Sequence, residues 1–315
     1  MKNFYQVQVI FLLFVAGNLQ SQPIPIRWNR RSNLPTPRWL GAAVICDDRI
    51  YVIGGRGPED RKIYKYNPAT DLWVTEATLP DYQVHAAVGV IRGQIYVVGG
   101  APDGKNERFD PLTKQWQTFE PLPTPRYHNS SCVLNDKLHV IGGSYGRYQP
   151  AKEHEVYDPS TNTWQQKAPG PGGGAVVADK IFSIGGEDGH ESSVAKVEMY
   201  DSKADVWIEK HSLPLPMLVM GIAVVRDKIF ALGGQMQENG GEEKVTSAIF
   251  VYETSTDSWS NCGNLPEKIQ FPQVVVFQEK IFVIGGCDPQ YNPISTVWCS
   301  EVIFSKSNYR PYPKK

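Results

Sequence analysis

The stretch "RIYVIGGRGPEDRKIYKYNPATDLW", residues 49–73, contains the grammar of the whole chain. It opens on a short β-branched apolar run that stops at Gly54-Gly55. Such a run reads as a buried strand ending in a turn that needs positive φ. It closes on "YNPATDLW", where Asn, Pro, Thr and Asp lie between two apolar ends. Those residue types make a tight hairpin turn between two strands.

Both halves recur. The first returns as "IYVVGG" at 95, "LHVIGG" at 138, "IFSIGG" at 181, "IFALGG" at 229 and "IFVIGG" at 281. The second returns as "FDPLTKQW", "YDPSTNTW", "YDSKADVW" and "YETSTDSW", ending at Trp116, Trp164, Trp207 and Trp259. No Gly-Lys-Ser/Thr follows a glycine pair and no helical pattern opens after one, so a phosphate loop is excluded. The unit is four short antiparallel strands, repeated every 43 to 52 residues by the Trp spacing. That period and signature belong to a β-propeller blade.

The spacing of the glycine pair, the Tyr-Asp-Pro turn and the Trp resembles the kelch repeat, over about residues 24–305 and six times in register. The resemblance implies an all-β fold: a six-bladed propeller of four-stranded antiparallel blades. The count is uneven, because six Gly-Gly strands are followed by only five Trp strands. In the last repeat "SEVIF" can supply a third strand, but no turn and Trp follow it. Trp28, in "SQPIPIRWNRR", precedes Gly54 by 26 residues, the separation found from Trp73 to Gly99, Trp116 to Gly142, Trp207 to Gly233 and Trp259 to Gly285. The N-terminal strand "IPIRW" is therefore expected to close the last blade, which removes the exposed sheet edges of an open array.

Ahead of that strand, Lys2 and the apolar run Val9–Gly17 read as a secretory signal peptide over residues 1–21, too short to span a bilayer. The propeller is assigned to 22–305 and a C-terminal tail to 306–315. No other segment is long enough to cross a membrane, and the product is expected to be exported, soluble and monomeric. Net charge is −1 with no run of five like charges, which argues against nucleic acid as a partner. No stretch reads as the BTB domain of intracellular kelch adaptors, so that role is not implied.

In propellers of the kelch type, the loop leading into the first strand and the loop between the second and third strands share one face around a central channel. Binding concentrates in loops carried on a rigid scaffold. The expected ligand-binding face comprises Arg38, Trp39, Arg56, Tyr82, His85, Arg126, Tyr127, Tyr145, Arg147, Asp188 and Tyr291. Arg and aromatic side chains of this kind suit a protein or peptide partner, or a glycan. Arg38 and Arg126 recur at one repeat position and are the leading members. The fourth lead-in loop is the exception in length: Trp164 to Gly185 is 21 residues. Its "APGPGGGAVV" replaces loops such as "LPTPRYHNSSCV", and a notch in the face is expected there.

Chemistry is harder to find. No His-x-x-x-His or Cys-x-x-Cys spacing appears, and no metal or other cofactor is expected. His85 and His128 fall at nearby repeat positions on adjacent blades, where they can converge. No Gly-x-Ser-x-Gly elbow is present. Cys287 and Cys299 flank a loop of one blade and are expected to form a disulfide, whereas Cys46 and Cys132 read as core residues and Cys262 has no evident partner. The primary expectation is a secreted binding module. The alternative, by resemblance to exported kelch propellers, is a sugar epimerase or mutarotase acting on sialic acid. Its acid–base groups would come from Glu187, His190, Arg126 and Arg147 at the channel mouth.

Overall fold

The computed structural model describes residues 26–302, apart from 147, 148, 173, 188, 191 and 238–240. The signal peptide, the C-terminal tail, Arg147 and Asp188 lie outside the described residues. The chain forms six four-stranded antiparallel sheets. Blade one comprises Ala42–Cys46, Arg49–Ile53, Lys62–Asn67 and Leu72–Thr78, and blades two to five repeat that order. Blade six combines Gln273–Phe277, Lys280–Ile284 and Val297–Val302 with Ile26–Arg31 from the other end of the chain. The first strands of neighbouring blades pack on one another and form the innermost ring.

The residues of the motif explain the blade. Tyr66, Phe109, Tyr157, Tyr200 and Tyr252 are fully buried and stand opposite Trp73, Trp116, Trp164, Trp207 and Trp259 in the ladder. The hairpin between them turns on a left-handed residue two before each Trp: Asp71, Lys114, Asn162, Asp205 and Asp257. Asp and Asn tolerate that conformation. They also close the turn, since Tyr66 donates to Asp71 at 2.6 Å, Tyr157 to Asn162 at 2.8 Å and Tyr200 to Asp205 at 2.6 Å. Each tyrosine thereby satisfies its hydroxyl at the edge of an apolar cluster shared between blades.

The ring closes through Trp28, which pairs with Ser300 in a six-residue ladder. It packs against the core shared by blades five and six, which includes Val283. Two sequence expectations need correction here. The third strand of blade six begins at Val297, earlier than "SEVIF", because Val297 fills the fully buried place opposite Ile284. Cys299 consequently lies inside that strand, opposite Phe282, in an apolar core. Cys287 lies beyond the Gly-Gly turn, bridged to Gln270 and Pro293. The expected disulfide is therefore not formed, and all five cysteines are buried free thiols.

Candidate functional site

The lead-in loops and the loops between second and third strands meet on one face. Backbone bridges join them in blade after blade: Trp39 to Arg56, Tyr127 to Ser144, Leu218 to Gln235 and Gln270 to Cys287. The lead-in loops also connect to each other around the channel, with His85 N–H donating to Leu40 O, Asn129 to His85 O and Phe271 to Val219 O. Backbone thus builds the loop face at blades one, three, five and six and ties the lead-in loops of blades one to three, and of five and six, to one another.

Arg38 and Arg126 do not reach that rim. They are 0 % and 1 % exposed. Arg126 donates to the carbonyls of Thr124 and Gly142 at 2.7 Å, of Val140 at 3.2 Å and of Glu153 at 3.3 Å, and it pairs with Glu155. Arg38 donates to Lys62 O at 2.6 Å and Glu59 O at 2.7 Å, and its guanidinium stacks on Tyr64 at 4.9 Å. Burial holds Arg38 below the usual guanidinium range, opposed by the nearby Tyr64, Asp60 and Glu59. Both arginines staple the lead-in loop to its own blade. Their recurrence signals architecture, and the expectation that they contact ligand is corrected on that ground.

Other predicted residues do reach the face. Tyr82, Tyr145 and Tyr291 are exposed, as is Arg56, and Tyr127 is half-buried. Trp39 packs edge-on against Phe271 at 5.2 Å and Tyr291 at 5.9 Å. The row of rings continues through His85, 5.9 Å from Phe271, to His128. The two histidines meet with Nδ1 atoms 2.5 Å apart. Desolvation, then the His128 imidazole and the Arg56 guanidinium, push His85 down to about 3. Desolvation and Arg56 lower His128 as well. Two neutral imidazoles sharing one N–H offer the channel one remaining donor and one remaining acceptor.

Beside this pair the mouth of the channel opens into a cavity of about 610 Å³. Its wall includes His85, His128 and Phe271 on one side and Leu218, Val219 and Met220 on another. Ser130, Ser131, Ser144, Gln149 and Glu187 add polar groups. It lies where the notch was expected: Pro171, Gly172 and Gly174 of the short fourth loop line it, and so do Ser183 to Gly186. The first strand of blade four, Ala175–Val177, has three residues where that of blade one has five. Ile184 is only half-buried, whereas its counterparts Ile53, Ile141, Leu232 and Ile284 are buried. Sequence reasoning missed the serines and Met220. Counting back 11 to 13 residues from each glycine pair would have found Ser130, Ser131 and Met220, because that offset marks the inner strand.

Of the residues named for catalysis, Glu187 lines the cavity and His190 is exposed nearby in sequence. Arg126 is unavailable, for the reasons above. Among the described residues no group of three or more His, Cys, Asp or Glu side chains is placed to hold a metal ion, and no helix is long and apolar enough to cross a membrane.

Comparison with known proteins agrees with the geometry. Residues 40–234 match the family described as the KLHDC2/KLHL20/DRC7 Kelch-repeats domain, and residues 220–266 and 271–299 match the Kelch motif. Kelch-like protein terF of Aspergillus terreus is 37 % identical over 90 residues, 25 % of this chain and 20 % of that protein. Beta-scruin of Limulus polyphemus is 35 % identical over 77 residues, 24 % of this chain and 8 % of that protein. The chain thus matches a fifth or less of the length of these relatives. The solved structure of YjhT superposes with a TM-score of 0.75 over 85 % of this chain and 96 % of its own, at 18 % identity, which is a likeness of fold. The chain belongs to the kelch-repeat family.

Proposed function

We propose that this protein is a secreted binding module that takes a protein or peptide ligand at the mouth of its central channel. The observation that carries this reading is the cavity of about 610 Å³ left open by the short fourth lead-in loop. Its size is that of ordinary ligand pockets, about 300–1,000 Å³, and its wall mixes apolar surface with a few polar groups in the same way. The row of rings from Tyr291 to His128 lies beside it and supplies large, rigid contact area. Export is supported by the basic start and the short apolar run at Val9–Gly17.

The sugar epimerase or mutarotase remains the alternative on one observation, Glu187 at the cavity wall. Of the two arginines assigned to it, Arg126 is spent on carbonyls and Glu155, and Arg147 lies outside the described residues. The deciding experiment uses protein recovered from culture medium, with its N-terminus sequenced. That protein is probed on peptide and glycan arrays and assayed for sialic acid mutarotation by NMR. Binding to peptides without mutarotation supports the module. Accelerated mutarotation that Glu187→Gln abolishes replaces it with the enzyme. Protein found only inside cells and starting at Met1 removes export.

A further inference from the structure

The other five blades show what blade four lacks. Sixteen residues before the first glycine stand Arg38, Gln83, Arg126, Met217 and Ile269. All five side chains are buried, at 0 % or 1 % exposure, and fill the top of their blades. Where the side chain is polar and faces a glutamate, the two pair: Gln83 donates to Glu107 at 3.3 Å, and Arg126 meets Glu155. Among the described residues, blade four has none at this place. Gly170 marks the point of divergence, for its N–H bonds Lys152 O at 2.8 Å just as that of Leu122 bonds Gly104 O at 2.8 Å. Four residues beyond Leu122 stands Arg126; four beyond Gly170 the chain has already reached Gly174, at the start of the inner strand.

The rest of the socket is retained. Glu198 is the counterpart of Glu107 and Glu155, two residues before the buried Tyr of its blade. Arg126 binds the carbonyls of Val140 and Gly142; their counterparts, Ser183 and Gly185, line the open cavity. The second glycine shows the same vacancy. A Cβ placed on Gly55, Gly100, Gly143, Gly234 or Gly286 would meet a lead-in-loop carbonyl at 2.5–2.8 Å, whereas one on Gly186 would meet nothing within 4 Å. Glu198 is met by Lys196, just ahead of the strand Val197–Asp201, 2.8 Å away and half exposed at 51 %.

We propose that this socket takes an arginine carried on an extended segment of a partner protein, with the guanidinium pairing to Glu198 as Arg126 pairs to Glu155. The partner's backbone lies over Gly186, in the place that the lead-in loops occupy over the other five glycine pairs. Arginine suits the socket because its planar fork can reach two carbonyls and a carboxylate together. The side chain of Lys196 can yield, since exposed ion pairs are weak. The inference rests on the reading of the channel mouth as a binding surface and narrows it to one chemistry.

The test uses the full mature chain and, as probe, a capped peptide of residues 120–130, "EPLPTPRYHNS", which carries the missing loop. Binding is followed by calorimetry up to about 1 mM peptide, the weak end of measurable affinity. The peptide is expected to bind, and to bind about tenfold more weakly when its arginine is replaced by alanine, as for loss of one charge-assisted pair. Glu198→Gln in the protein, checked for unchanged melting, is expected to give a similar loss. Inserting "TPRYH" after Pro171 restores the regular loop length and is expected to abolish binding. No binding of the peptide, or binding indifferent to its arginine, would overturn the proposal. Array ligands that still bind in the cavity would then leave the wider reading intact; absence of both would remove both.

Discussion

At the scale of single residues, the chain separates structural arginines from exposed ones by burial. Arg126 holds a carboxylate, Glu155, that is 5 % exposed. Breaking a buried pair on one side costs about 3–5 kcal/mol, because the other charge stays behind. Arg126→Ala is therefore expected to lower stability by about 3 kcal/mol, read as a fall in melting temperature of several degrees. Arg126→Gln, which copies Gln83 opposite Glu107, is expected to recover part of the loss. A melt unchanged by Arg126→Ala would return that arginine to the list of ligand contacts. The sequence could show that Arg38 and Arg126 share a repeat position, but not that the loop folds them inward. That depends on carbonyls contributed by residues such as Val140 and Gly142, which any side chain could have carried.

A second residue-scale consequence concerns His139 and His154, buried with Nδ1 of the first 2.8 Å from Nε2 of the second. Burial, then His154 and the lysines at 167 and 137, push His139 down to about 3. Burial pushes His154 down to about 4, with Lys167 and Arg126 adding to it and the Ala168 backbone and Asp205 opposing. In the unfolded chain both titrate near 6.5. Above that pH both are neutral in either state and their contribution is complete. Below it only the unfolded chain takes up protons, so stability falls as pH drops from about 6.5 towards about 4. His139→Phe, the residue at its counterparts Phe182, Phe230 and Phe282, is expected to flatten that slope in thermal melts at pH 7, 6, 5 and about 4.5. An equally steep slope in the variant would exclude the pair as its source. His85 remains in both proteins, so only part of the slope should disappear.

At the scale of elements, the N-terminal strand closes the ring. It was legible from one number, the 26 residues between Trp28 and Gly54. Its fit was not legible. Ser300 replaces the tyrosine or phenylalanine that faces Trp in the other blades, and the buried indole N–H of Trp28 has no hydrogen-bond partner among the described residues. No hairpin joins the two strands, so the Tyr–Asp turn had nothing to close. Because blade six joins the two ends of the chain, its outer strand supports the whole ring. A chain starting at residue 23 is expected to melt as one cooperative unit. A chain starting at residue 32 is expected to melt at least 10 °C lower or to aggregate, as for a loss of several kcal/mol in a domain of this size. Equal melting of the two would mean that the strand is an appendage. The same element scale explains the lost disulfide, since strand register is set by which side chain reaches the core, and Val297 outcompetes the later "SEVIF" start.

At the scale of the molecule, the six-fold repeat was readable because each blade spells its own turns in Gly, Asp and Trp. What distinguishes the blades was less readable. The five-residue deletion in the fourth loop indicated a notch, but the His85–His128 contact and the serine-lined wall come from loops and strands distant in sequence that only ring closure brings together. Ligand binding at the opening of blade four is the central proposal. Its most direct test is the affinity of an array-selected ligand for Gly174→Ile. Counterparts of Gly174 include Val88, Ile222 and Val274, so the inner strand accepts a branched side chain there, and the added atoms enter the cavity. Binding is expected to be at least about tenfold weaker. Melting should be little changed, and Arg92→Glu, at the opposite end of the strands, should leave affinity unaltered. Undiminished affinity in Gly174→Ile would contradict it.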